Sequence, residues 1–554
     1  MPAHSVEEGI RLFGERRLAD ARRVLERAVI DDRRHVAAWT NLGLACEALG
    51  DYDAARAALR TAAGLDPDDH ETQHGLGLVA LRVGDFERSE AYFRNAIRLR
   101  EHPGYYNNLS LVLRHLGRSE ESDAAIRKAV ELAPRDAMLH SNLILYLNYA
   151  HGDDGARIRA EADAWARRHA AGKRGRGEFP EHDRNPSRRL RVGYVSPDFR
   201  LHAVAFFFEP LLKAHDRSQV EVFCYSDARV PDDVTRRLRG LADAWREAHT
   251  MSDDALERAM LDDRIDVAVD LAGHTGGNRL PLFARRVAPV QVSYLGYLGT
   301  TGVPAMDYRF TDAIADPVGT TEAFSSEELV RLEGGMFVYE GNRAVEAPAE
   351  PPVTRTGGIT FGSFNPLTKI TEATLRRWAA VLAGVPGSRL LIKAASLGAN
   401  AQRDTLWRRA VAAGVDPGRL ILLGPEEQVA QHLARYNEVD IAVDTYPYNS
   451  ITTAFEALWM GVPLVTRAGT TQISRFAASA LTHVGLGDLV VTSEEAYVER
   501  AISLARDIER LRELRRTLRA RMEASSLCDR NRLSRAIEAA YRDMWTRWCA
   551  EARG

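Results

Sequence analysis

Cysteine is scarce in this 554-residue chain. Its four copies, Cys46, Cys224, Cys528 and Cys549, are scattered with no C-x-x-C pair, which excludes a secreted disulfide framework and a zinc cluster of paired thiolates. No run of about 18 apolar residues occurs, and the opening MPAHSVEEGIRLFGERR lacks the apolar stretch of a signal peptide. A cytoplasmic protein without a membrane partner is expected. Neither sign of charge dominates, since Lys+Arg 74 against Asp+Glu 77 leaves a net charge of -3, so the overall balance does not call for nucleic acid. Neither G-x-G-x-x-G nor G-x-x-x-x-G-K-[ST] is present, which removes the dinucleotide and P-loop signatures. What remains is ordinary for a globular protein: 45% hydrophobic and 27% charged residues, in a length that suits about three domains.

The first third repeats. Leu42, Leu76, Leu109 and Leu143 are 34, 33 and 34 residues apart. Gly50, Gly84 and Gly117 follow the same steps, as do Ala62, Ala96 and Ala129, while Pro67, Pro103 and Pro134 close successive units. This is the period of a tetratricopeptide repeat, two antiparallel helices that pack closely at small residues and end at proline. A solenoid of about three full repeats with partial end units is expected over residues 1–150. Asn41, Asn108 and Asn142 share one repeat position, with Gly75 interrupting the series. Stacked amides there offer donor and acceptor to an extended acceptor peptide on the concave face; helix–helix packing explains the same asparagines.

A charged stretch from about His169 to Leu190 overlaps the end of an expected linker, 151–188. Short apolar runs then alternate with helical patterns, RVGYVSP, VEVFCYS, IDVAVDLAG and VQVSYLGY, up to about Val345. The proline-rich EAPAEPPVTRTGG, from Glu346 to Gly358, breaks the chain before a second series: GITFGSFN, SRLLIKAA, RLILLG, VDIAVDTYP and PLVTRAG. Two doubly wound parallel-sheet domains, 189–345 and 353–554, are expected, with a ligand cleft at the carboxyl ends of their strands. The tail from Tyr497 to Cys549 reads as a charged, solvated helix, because Glu509, Glu513 and Glu523 interleave with its arginines.

Four places carry candidate chemistry. VDIAVDTYPYNSITTAFEALWMGVP reads as strand, turn and a helix opening near Thr452, whose free N–H groups and dipole suit a diphosphate. Glu456, one turn in, has two readings: a carboxylate for ribose hydroxyls, or the far end of a capping box begun at Thr453. Lys369 precedes another helix, where an ammonium neutralises a leaving diphosphate, although lone loop lysines are usually solvated. His202 follows YVSPDFR and His274 sits in DLAGHTGGNRL; a neutral imidazole in a cleft accepts a proton or hydrogen-bonds a sugar, and histidines in turns are also often structural. No D-x-D pattern or carboxylate cluster adjoins these segments, so a metal-independent reaction without a cofactor is expected.

In order and spacing, RVGYVSPDFRLH, DLAGHTGGNRL, APVQVSYLGYLGTTGVPAMDYRFTD, FGSFNPLTKI and DTYPYNSITTAFEALWMGVPLVT resemble the protein O-glycosyltransferases that join tetratricopeptide repeats to a B-type glycosyltransferase fold, the O-GlcNAc transferases and their SPINDLY relatives. The resemblance spans nearly the whole chain. It implies an inverting transfer from a nucleotide sugar, UDP-GlcNAc first and GDP-fucose as alternative, to Ser or Thr of proteins lying along the repeats. His202 matches the family's active-site histidine, Lys369 its diphosphate-binding lysine, and Thr452 and Thr453 its phosphate-contacting threonines. Glu456 falls at the ribose-binding acidic position and His432 at the histidine against the base; His274 is placed with the donor-binding residues. The chain departs from the animal enzymes at Pro366, where they carry glutamine, at Leu298 within G-Y-L-G-T, and at Ile451, where they carry histidine. GHT, FGSFN-x-L-x-KIT and EALWMGVP are closer to the SPINDLY branch, whose plant member is similar to a GDP-fucose-dependent O-fucosyltransferase. The competing class is a non-catalytic repeat scaffold with a degenerate transferase domain.

Overall fold

The computed structural model describes residues 2–172, 174–176, 178–347 and 350–551. Lys173 and Gly177 of the expected linker and Pro348 and Ala349 of the proline-rich break lie outside the described residues. The chain divides into two compact units, one up to Ala133 together with Ala394–Arg409, the other from Pro134 to Lys393 and from Ala410 onward.

The first unit is helical: α1 Pro2–Gly14, α2 Leu18–Asp31, α3 Val36–Ala48, α4 Tyr52–Leu65, α5 His70–Arg82, α6 Phe86–Leu99, α7 Pro103–His115 and α8 Ser119–Leu132. Its repeat period has a visible cause at each hairpin. Gly50, Gly84 and Gly117 take φ of +82°, +77° and +78°, a left-handed turn that a side chain resists. In the first two hairpins the next residue then caps the second helix, Asp51 accepting from Ala54 N and Asp85 from Arg88 N, while Arg118 after Gly117 makes no side-chain cap. Where helices cross, Gly43 and Gly77 leave room for Leu59 and Phe93. The core of this unit runs through Leu25, Leu42, Leu59 and Leu76, with Phe93, Leu109 and Leu113 continuing it. The Ala394–Arg409 segment belongs with it, and Gln402 Nε2 donates to Gly84 O at 2.7 Å.

The second unit opens with α9 Ala137–His151 and α10 Gly155–His169. α10 lies inside the stretch expected to be a linker. Its arginines mask an apolar stripe of Ile158, Ala162 and Trp165, all buried, and Trp165 Nε1 reaches Ala137 O at 3.0 Å.

Two all-parallel sheets follow. The first holds β1 Leu190–Ser196, β2 Val220–Ser226, β3 Ala244–Glu247, β4 Val267–Asp270, β5 Val290–Ser293, β6 Tyr308–Thr311 and β7 Glu328–Arg331, in the order β3-β2-β1-β4-β5-β6-β7. The second holds β8 Thr360–Ser363, β9 Arg389–Lys393, β10 Leu420–Leu423, β11 Ile441–Val443, β12 Leu464–Arg467 and β13 Val490–Val491, in the order β10-β9-β8-β11-β12-β13. Winding therefore reverses once in each sheet, between β1 and β4 and between β8 and β11. Such a reversal opens a crevice at the carboxyl ends of the two strands.

The tail is not a solvated helix. Ile508–Ala524 buries Leu511, Leu514, Leu518 and Met522, and Arg530–Glu551 buries Tyr541, Trp545 and Trp548. Its charges cover one face of each helix while the other packs. From the second lobe, Arg530–Glu551 returns to the first: Trp548 Nε1 donates to Arg176 O at 2.7 Å, Trp545 Nε1 to Asn185 O at 3.2 Å, and the Tyr541 hydroxyl lies 3.2 Å from that of Tyr194.

Candidate active site

All the candidate lobe residues except His432 follow the switch-point strands. His202 comes after β1, His274 after β4, Lys369 after β8, and Thr452, Thr453 and Glu456 after β11. On the second lobe the chain leaves β8 through Asn365 and makes one helical turn, Leu367–Lys369. Lys369 is not a solvated loop lysine: only 9% of it is exposed. Its Nζ donates to Asn449 O at 2.8 Å and lies 4.0 Å from the centroid of the Tyr448 ring. Burial drives its pKa down to about 7, with Asp444 acting in the opposite direction.

The loop that meets it is shaped by Asp444, fully buried at the end of β11. Its carboxylate accepts from Ser450 N, Ser450 Oγ and Thr466 Oγ1, and burial raises its pKa. Asn365 then ties the two crossings together, donating to Ser450 Oγ at 2.7 Å and accepting from Thr453 Oγ1 at 3.2 Å. The helix Thr452–Trp459 starts here, and Ile451 at its N-cap supplies no side-chain acceptor, so the cap is left to a ligand or solvent. Lys369 and this helix opening thus share one wall of the crevice.

Of the two readings of Glu456, the capping box is not formed. The carboxylate does not return to the backbone; Oε2 accepts from His432 Nε2 at 3.1 Å and from the Tyr436 hydroxyl at 3.0 Å. Lys393 Nζ donates to His432 Nδ1 at 2.8 Å, so Nδ1 accepts and Nε2 carries the hydrogen toward Glu456. Phe364 stacks on Tyr436 with centroids 4.0 Å apart. Cation, imidazole and carboxylate therefore form a chain beside an aromatic floor, a surface with acceptors for hydroxyls and donors for the edge of a base. Lys393, Tyr436 and Tyr448 are missing from the sequence-derived set. The signal for Lys393 was its place at the carboxyl end of β9, where such sheets bind ligands.

On the first lobe His202 caps the helix α11, Ala203–Ala214. Its Nδ1 accepts from Val204 N at 3.3 Å and faces Asp198 Oδ2 at 3.5 Å, which leaves Nε2 as the nitrogen outside these contacts. Burial lowers the imidazole pKa, opposed by Asp198, and raises that of Asp198, so the ring is neutral at neutral pH. The two lobes touch just behind these helix starts, with Phe207 of α11 and Phe455 of the Thr452 helix 5.1 Å apart.

His274 is placed elsewhere. It is wholly buried, its Nδ1 3.0 Å from Ser141 Oγ and its Nε2 2.9 Å from Thr301 O, between Trp165 and Tyr297. Both nitrogens are satisfied inside the protein, which makes it a packed structural side chain and removes it from the donor-binding set. The asparagines are divided as well. In the first unit Asn41 Nδ2 donates to Ala37 O of its own helix, and Asn108 Nδ2 is 2.9 Å from His74 Nε2; Asn142 lies on α9 in the second unit.

Two sheets wound in the same order, with their polar residues gathered at the switch points and helical repeats ahead of them, define a repeat-bearing protein of B-type glycosyltransferase fold. The chain belongs to glycosyl transferase family 41, whose family model matches residues 171–346 and 354–537. A tetratricopeptide repeat model matches residues 6–70 and 74–137. The chain is 38% identical over 435 residues to a rice protein named as a probable UDP-N-acetylglucosamine--peptide N-acetylglucosaminyltransferase SPINDLY, covering 77% of this chain and 46% of that one. The Arabidopsis thaliana protein SEC, named for the same activity, is 33% identical over 66% of this chain and 38% of its own. The chain thus spans about half the length of the curated relatives it matches. Among solved structures, a mutant of the Thermobaculum terrenum O-GlcNAc transferase superposes with a TM-score of 0.84 at 36% identity, over 93% of this chain and 98% of that one.

Proposed function

We propose that this protein transfers a sugar from a nucleoside diphosphate donor to Ser or Thr hydroxyls of proteins, with inversion at the anomeric carbon. The observation that carries the reading is the buried Lys369 ammonium beside the uncapped Thr452 helix, with the Glu456–His432–Lys393 chain beyond it. The acceptor hydroxyl attacks the anomeric carbon as its bond to the diphosphate oxygen breaks, and the electron pair leaves on the diphosphate. Lys369 and the helix N–H groups stabilise that developing charge. His202, whose Nδ1 accepts from Val204 N, carries its hydrogen on Nε2 and orients the acceptor hydroxyl with it; in the other tautomer, with the hydrogen on Nδ1 toward Asp198, Nε2 takes the hydroxyl proton, and a donor phosphate oxygen or a water is the alternative base. Glu456 receives the ribose hydroxyls and His432 borders the base. The charge on the diphosphate is met by protein groups, so the reaction is proposed to need no metal or other cofactor.

UDP-GlcNAc is the first donor, in line with the names of the relatives. GDP-fucose is the second, favoured by Lys393, since an ammonium at the base edge pairs well with the O6 and N7 acceptors of guanine. The reading includes the cytoplasm as compartment, in line with a sequence whose few cysteines form no C-x-x-C pair. Protein acceptors are proposed to lie along the repeats, with Asn41, Asn108 and Asn142 as contacts. Calorimetric titration of the full chain with UDP, GDP and their sugar conjugates tests the donor. One nucleotide family binding in the micromolar range is expected; a scaffold with a degenerate site binds none of the four.

A further inference from the structure

Lys369 reaches its place through an aromatic pair that the reaction scheme leaves unused. An ammonium has three donors; here one goes to Asn449 O, and the Tyr448 ring lies 4.0 Å from the same Nζ. Asp444, the carboxylate that acts on Lys369, is itself engaged by Ser450 and Thr466. Beside the Asn449 carbonyl, the group that meets the buried charge is therefore a π face, and a cation–π contact is strongest where water is excluded. Tyr448 is in turn held by a second ring: Tyr149 stacks on it with centroids 4.8 Å apart and planes at 28°. Tyr149 stands on α9, seven residues after Asn142 and hence on the same face two turns on.

We propose that Tyr448 and Tyr149 form a two-ring clamp that positions the Lys369 ammonium for the diphosphate, joining the face of α9 that carries Asn142 to the donor site. This rests on the donor-site reading above. Both tyrosines are positioning residues: they act on the donor through Lys369. An acceptor segment lying along α9 then meets, at Tyr149, the group whose ring sets the lysine.

The test separates the diphosphate from the nucleoside. The full-length wild type and its Tyr448→Leu, Tyr448→Phe, Tyr149→Ala and Tyr149→Phe variants are titrated with UDP and GDP by calorimetry, and with uridine and guanosine by saturation-transfer NMR. Tyr448→Leu is expected to weaken the preferred diphosphate about tenfold, and Tyr149→Ala about threefold, with nucleoside affinity unchanged. Both Phe variants, which keep the rings, are expected to bind as the wild type. Equal loss of nucleoside and diphosphate, or wild-type diphosphate affinity in Tyr448→Leu, overturns the clamp; if Tyr448→Leu does not fold, the half-buried Tyr149→Ala carries the same decision. A wild type that binds neither nucleotide sinks the donor-site reading itself.

Discussion

An ammonium with little water around it keeps its charge only as far as its neighbours allow, and for Lys369 that balance lies at about 7. The sign follows from the direction of the shift. Burial favours the neutral amine, whereas diphosphate binding needs the cation, so raising the pH through 7 removes the form that binds. The affinity for the intact sugar nucleotide, whose phosphates do not titrate in this range, is expected to fall by up to about tenfold per pH unit above that point. Lys369→Met flattens this dependence and lowers transfer by about 10²–10³-fold. The same substitution removes a charge that costs folding free energy at neutral pH, so the melting temperature is expected to hold or rise. A variant with near wild-type turnover, or an affinity independent of pH in the parent, contradicts the role. Glu456 argues the same way at the other end of the donor: Glu456→Gln loses the charge that holds His432 and Tyr436. Nucleoside and diphosphate affinity are expected to fall together in that variant, about tenfold, the reverse of the split that Tyr448 produces.

At the scale of elements, the solenoid depends on a few glycines that earn their place by contact rather than by flexibility. A Cβ on Gly77 would sit 2.5 Å from Phe93 Cε1, so the Gly77→Ala variant must move a buried ring, at a cost of about 1–3 kcal/mol in urea unfolding. Gly64→Ala, in the same kind of helix but with nothing within 4 Å of the new methyl, is expected to be neutral or stabilising; equal effects would mean that close packing does not set the repeat. This is also why the repeats were legible. Small residues, turn glycines and closing prolines are each required at one position per unit, so the period survives in the letters. The switch-point loops were legible for a similar reason, because GHT and ITTAFE begin three and eight residues past apolar strands. α10 was not: four arginines in fifteen residues outweigh three buried apolar side chains in any local count. Nor was the destiny of Glu456, since a carboxylate one turn into a helix looks the same whether it caps the backbone or meets Tyr436 from another element. His274 was misplaced because its partners, Ser141 and Thr301, are 133 and 27 residues away.

Across the whole molecule, both units bury neutral imidazoles, and this fixes how the fold answers acid. Burial lowers His74 to about 4 and His115 to about 3 in the first unit, and His169 to about 4 and His274 to about 3 in the second. Each of these groups takes up a proton on unfolding between its ordinary value near 6.5 and its lowered one. The unfolded chain therefore binds more protons across that window, and stability falls as the pH drops through it. His74, His115 and His274 each contribute at most about 1.4 kcal/mol per pH unit, and the half-exposed His169 less. Asp270 opposes them, because burial raises it to about 6 and the folded state then holds its proton more tightly. Asp198, Asp440 and Asp444, raised by burial as well, act with Asp270, while His182, His202, His215 and His483, lowered by burial, act with the four imidazoles, so that eight histidines against four carboxylates leave a net loss. Scanning calorimetry from pH 7 to pH 4.5 is expected to show the melting transitions of both units moving down together. Replacing His274 with Gln, which keeps one donor and one acceptor for Ser141 and Thr301, is expected to reduce the slope for the second unit while leaving that of the first unchanged. A melting temperature that is flat or rises on acidification would mean that these imidazoles become charged inside the folded protein, contrary to the burial that surrounds them.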